Sequence, residues 1–199
     1  MDAIREHGVA GVSARVIANA AGVNQALIFY HFGSMDELLK AACLTAAQVR
    51  VAAYRERFAQ VGSLAGLLNL GRELYEGERR LGNVTVLTQM LAGAQADPRL
   101  VPATAAALQL WIDEIERTLR RLLAGSPLGP VVDAAGLARA ISAGFVGVQL
   151  YGAVDESGGE DALAALEQLA VLIEVVEDLG PTARRLLRSR LAKAANGNR

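Results

Sequence analysis

The twenty residues from Ser13 to Phe32 constrain this chain more than any other stretch. Two short runs with apolar residues at helical spacing lie on either side of Ala20-Ala21-Gly22. Ser13 stands where a helix N-cap belongs, with a hydroxyl able to accept from a free N–H of the first turn. Val16, Ile17 and Ala20 follow on one face. Gly22 ends that run, since glycine takes a turn conformation that a β-carbon resists. A second short helix is expected from Asn24 to Phe32, and Gly33 ends it. Ser34-Met35-Asp36-Glu37 reads as a capping box, with Ser34 as cap and Glu37 at the third helical position. It opens a long helix over about residues 35–59. Two short helices, a tight turn and a long supporting helix form the arrangement that offers a helix to the major groove of DNA. The same spacing also suits an ordinary helical hairpin with a solvated face.

The outward face of the second helix carries Asn24, Gln25, Ala26, Leu27, Tyr30 and His31. Amides near a helix N-terminus suit base reading, because Asn or Gln can bond adenine bidentately. The Tyr30 hydroxyl and the His31 ring suit phosphate contacts, which fix register rather than sequence. Val16, Ile17, Val23, Ile28 and Phe32 would form the small core that holds the two helices at their angle.

The segment from His7 to Leu39 resembles the DNA-binding domain of the TetR family of bacterial regulators. Gly8, Ser13, Ile17-Ala18, Ala21-Gly22-Val23, Tyr30-His31-Phe32 and Ser34 through Leu38 carry the likeness. It implies that Ser13 caps its helix and touches phosphate, and that Arg15 lies near the backbone or a base edge. It places Asn24, Gln25, Ala26 and Leu27 against the groove and Tyr30 and His31 on phosphate. Three positions depart from the family pattern. Met35 stands where a phosphate-binding Lys is usual, which should weaken affinity and its salt dependence. Phe29 replaces a Tyr. The first helix is short, with Ile4 aligned near its end, so either the true start lies upstream or the DNA domain is deficient. A short first helix should leave Val12, Ile17 and Leu38 partly uncovered.

The remainder reads as helix throughout, so the expected fold class is all-α. A helix-turn-helix domain over residues 1–45 would precede a helical effector and dimerisation domain over 46–199. Helices are expected near 64–79, 84–94, 100–124, 133–154, 161–179 and 182–195, with a first stub ending at Gly8 and a loop at Ser157-Gly158-Gly159. Charge is uneven: residues 61–180 hold eight basic and sixteen acidic side chains, which argues against nucleic acid there. Residues 181–199 hold six basic and no acidic ones, best read as the solvated face of a terminal helix. The lone Cys43 excludes an internal disulfide and multi-cysteine metal sites, and reads as a small core residue. No apolar run suits a membrane span and no signal peptide opens the chain, so a cytoplasmic protein is expected.

The resemblance implies a small-molecule effector held among the middle helices. Candidate lining residues are Leu70, Leu74 and Tyr75, then Leu87, Met90 and Leu91. Trp111 and Ile115 follow on the next helix, and Phe145 and Gln149 on the one after. Tyr75, Trp111 and Gln149 each bring a polar group to an apolar face, and such a group needs a partner when buried. Few charges among these positions argue for an apolar or amphipathic ligand. The helices at 133–154 and 161–179 are apolar on more than one face and should dimerise as a four-helix interface. Ala138, Ile141, Val148, Leu166, Leu169, Ile173 and Val176 are the expected contacts, within a set that also includes Ser142 and Leu172. Such a homodimer suits a palindromic DNA operator. No catalytic or metal-binding pattern is present: both His lie in the DNA-binding segment, and no phosphate-binding or dinucleotide-binding glycine motif occurs. No cofactor is expected. The alternative to a ligand-responsive repressor is a dimeric ligand-binding protein that has lost DNA binding.

Overall fold

A computed structural model describes residues 1–124 and 126–197, with the side chains of 156, 167, 169, 170, 177, 192 and 194–197 left out. Among the described residues there are ten α-helices and one 3-10 turn, and no strand. The helices are α1 (Asp2–Gly11), α2 (Ala14–Ala21), α3 (Gln25–Phe32), α4 (Met35–Gln60) and α5 (Leu64–Arg80). They continue as α6 (Asn83–Ala96), α7 (Val101–Leu123), α8 (Ala134–Gly152), α9 (Glu156–Glu177) and α10 (Pro181–Gly197). The chain forms two compact units, one of Met1–Ala53 with Glu76–Trp111 and one of Tyr54–Tyr75 with Ile112–Arg199.

In the first unit, α1 passes the break expected at Gly8 and reaches Gly11, with a kink where Gly8 takes φ 70° and ψ 165°. Ile4 is 3% exposed and sits in a core with Leu39, Cys43, Val86, Met90, Leu100 and Ala103. Burying one such side chain contributes about 1.5–3 kcal/mol. Burial pushes the Cys43 thiol up, so it stays protonated and a poor nucleophile at neutral pH. A second small core holds Ala14, Ala18 and Ile28, flanked by Ile17 and Leu38. Met35 packs against both cores. Val12, Ile17 and Leu38 are only half-buried.

A polar chain runs through the same unit. The Glu78 carboxylate, 6% exposed, accepts from Arg50 Nε at 2.9 Å and from Asn83 Nδ2 at 2.7 Å. Asn83 Oδ1 in turn accepts from Arg5 Nη2 at 2.7 Å. Residues of α1, α4, α5 and α6 are thereby joined.

In the second unit, Phe58 and Leu119 are each 1% exposed. Arg121 donates to the carbonyl oxygens of Phe58 at 2.9 Å and Val61 at 2.7 Å, which ties α7 to the end of α4 and the residue after it. Asp133 caps α8 by accepting from the N–H groups of Ala135 and Gly136 at 3.2 and 2.9 Å.

The loop expected at Ser157-Gly158-Gly159 is instead the first turn of α9, capped by Asp155, whose Oδ1 accepts from Gly158 N at 3.0 Å. That N–H and the Ser157 hydroxyl hold the Asp155 carboxyl below the usual range. The glycines serve close approach here. A β-carbon on Gly159 would lie 3.0 Å from the Gly152 Cα, where α8 and α9 cross.

Candidate nucleic-acid interface and effector site

The helix-turn-helix is assembled by local chemistry. Ser13 Oγ accepts from Val16 N at 3.3 Å, so it caps α2 as its position demands. Gly22 takes φ 65° and ψ 29°, and its N–H reaches back to Ala18 and Asn19. This left-handed geometry strains any residue with a β-carbon and turns the chain in two residues. Asn24 Oδ1 accepts from Ala26 N at 2.9 Å and caps α3. Ser34 Oγ accepts from Glu37 N at 3.2 Å and launches α4.

The cores leave one face of α3 open. Ile28 is buried against Ala14 and Ala18, whereas Gln25, Ala26, Leu27, Tyr30 and His31 are exposed. Tyr30 is 81% exposed, extreme for an aromatic side chain, and stands edge-on to the His31 ring at 5.1 Å. Arg15 and Ser13 are also exposed. Two expectations are refined. Bidentate reading of adenine needs both the oxygen and the nitrogen of an amide, and the Asn24 oxygen is committed to the cap. Gln25, in the first turn, keeps its amide outside that cap. Met35, in place of a phosphate-binding lysine, fills the seam between two cores.

The effector candidates divide between the two units. In the first, Met90 is 2% exposed and belongs to the core around Ile4, while Leu87, Leu91 and Trp111 are half-buried. In the second, Leu70, Leu74 and Tyr75 on α5 are buried, and Ile115 on α7 is half-buried. Tyr75 meets Phe145 of α8 edge-to-face, with ring centroids 6.1 Å apart. Gln149, one turn further along α8, is 7% exposed and its Nε2 has no hydrogen-bond partner. Ser142 Oγ, on the same face of α8, is likewise buried and unpartnered. Sequence reasoning grouped Ser142 with the dimer contacts, since only the missing partner distinguishes it. Among the described residues no group of three or more His, Cys, Asp or Glu is placed to hold a metal ion.

The dimer expectation needs one correction. Ala138 is fully buried within its own chain and has no surface to offer a partner. Leu166 is 42% exposed; Ile141, Val148, Ile173 and Val176 are half-buried; the Leu169 side chain lies outside the described ones. The exposed apolar residues on these helices include Leu172, which the sequence placed in the dimer set, and Leu150, Tyr151, Val171 and Val175, which it did not single out. On α10, Arg185, Arg188, Arg190 and Lys193 are exposed, in keeping with a solvated basic face, and Arg199 lies outside the described residues.

Residues 1–42 match the family model for bacterial regulatory proteins of the tetR family. A solved structure from Rhodococcus sp., classed as a TetR-family transcriptional regulator, superposes with a TM-score of 0.70. It is 26% identical, and the match covers 86% of this chain and 92% of that one. The first 42 residues thus match a tetR-type DNA-binding domain, and the chain as a whole shares the fold of a TetR-family regulator. No curated protein matches it. The capped helix-turn-helix, the open face of α3 and Met35 all lie within the matched residues. Among the described residues no helix is long and apolar enough to cross a membrane.

Proposed function

We propose that this protein is a cytoplasmic, homodimeric, ligand-responsive repressor that binds a palindromic operator through α3 and leaves it when a small apolar or amphipathic effector binds. The observation that carries this reading is the open α3 face, with Gln25, Tyr30 and His31 exposed above a capped and packed hairpin. Residues 1–45 would read DNA and 46–199 would hold the effector and the partner subunit. Tyr30, His31, Ser13 and Arg15 would set position on phosphates, and Gln25, Ala26 and Leu27 would meet base edges. Effector binding would shift the spacing of the two reading helices through α4, a population shift driven by unequal affinity for two states. The residues point to regulation and not to catalysis. An electrophoretic shift on the DNA upstream of its own gene, repeated with apolar metabolites, tests this. A shift that such a compound reverses supports it; no shift at low salt sinks it and favours the ligand-binding protein without DNA function.

Asn24 and Gln25 should separate in a binding assay. Gln25→Ala should cost about 1–3 kcal/mol at one base pair and relax preference there. Asn24→Ala removes a cap worth about 1 kcal/mol, so it should lower thermal stability and weaken all sequences alike. Titrations against a panel of single-base operator variants would check this; a base-specific defect from Asn24→Ala would contradict it.

A further inference from the structure

Gln149 Nε2 and Ser142 Oγ are unpartnered polar atoms on side chains that are each more than nine-tenths buried. They lie seven residues apart on one face of α8, about 10 Å along the helix axis. Phe145 stands between them in sequence and meets the Tyr75 ring of α5. The Tyr75 hydroxyl approaches α8 at Gly152, where a β-carbon would lie 3.3 Å from it. The buried residues of α8 are Ala134, Ala138, Ser142 and Gln149, none of them ionisable.

We infer that this face of α8 binds an uncharged, elongated apolar molecule bearing two oxygens about 10 Å apart. A carbonyl would accept from Gln149 Nε2, and a hydroxyl would pair with Ser142 Oγ, which can donate or accept. The apolar span between them would lie along Phe145 and Tyr75. A carboxylate is disfavoured because no cation lies on the buried face of α8 to offset its desolvation. Buried polar groups ordinarily have partners, and an orphaned amide on an otherwise apolar face weakens the empty protein while selecting for a ligand that completes it. This inference rests on the reading that the helical domain takes an effector.

The test uses the full chain and three probes: 10-hydroxydecan-2-one, decane and decanoate. Thermal melts of the wild type should rise with the hydroxyketone and stay unchanged with decane or decanoate. Gln149→Leu should melt about 2–4 °C higher than the wild type without ligand and should lose about tenfold or more in affinity for the hydroxyketone. Ser142→Ala should bind the hydroxyketone no better than decan-2-one. A lower melting temperature for Gln149→Leu would show that the amide supports the fold and would overturn the inference. So would a wild type that ignores the hydroxyketone or responds best to decanoate. The effector reading is judged separately: a hydroxyketone held through Gln149 that leaves the DNA shift intact sinks that reading and leaves the polar site standing.

Discussion

In the proposed dimer, Leu172→Asp should leave a folded monomer and lower operator affinity on the order of 10²–10⁴-fold. Leu172 is 63% exposed, so in the isolated subunit the substitution removes little packing and should change stability by less than about 0.5 kcal/mol. Val171 and Val175 on the same helix are 58% and 60% exposed, and Leu150 and Tyr151 on α8 about half exposed. Clustered apolar exposure of this kind marks an interaction surface. A carboxylate placed in such an interface would lose water without gaining a partner. The large effect on DNA follows from symmetry. A dimer binds its second half-site as an intramolecular event, and a monomer loses that advantage. Light scattering with an operator titration would check both effects. A dimeric Leu172→Asp protein with undiminished DNA affinity would place the interface elsewhere.

The largest effect on stability should come from Glu78→Ala, about 3–5 kcal/mol. Its carboxylate is 6% exposed and receives both the Arg50 guanidinium and the Asn83 amide. Removing it leaves a partly buried cation and an amide donor without their acceptor, which costs far more than the net worth of the intact pair. At about 2–4 °C per kcal/mol, the melting temperature should fall by on the order of 10 °C. Glu78→Gln keeps an acceptor oxygen and should cost less. Because Asn83 is also held by Arg5, the loss should loosen α1 against α6 as well. Hydrogen exchange at α1 would detect that. A Glu78→Ala protein within about 1 kcal/mol of wild type would mean that the chain of contacts is incidental.

How much was legible in the sequence followed from how locally each feature is determined. Ser13, Gly22 and Ser34 set the boundaries of the helix-turn-helix through bonds within three or four residues, so spacing alone revealed them. Gly158 and Gly159 misled, because a glycine pair reads as a loop unless the neighbouring helix is known to pass close by. Ala138 and Val171 show a different gap. Periodicity reveals that α8 and α9 have more than one apolar face, but not which face its own chain covers. Asn24 was legible in position and not in use. An amide at that point suits either a cap or a base, and the structure commits its oxygen to the cap. In the candidate effector site Gln149 stood out as a polar residue among apolar ones, whereas Ser142 became visible only through its missing partner.

Hydroxyl-radical footprinting of the protein on the DNA upstream of its own gene tests most directly whether it reads DNA as a two-fold dimer through α3. Two symmetry-related protected half-sites are expected, centred one helical turn apart, about 34–36 Å, or a multiple of that. Protection should persist at salt concentrations that remove non-specific binding. Uniform protection that vanishes with salt, or a single unpaired half-site, would contradict it.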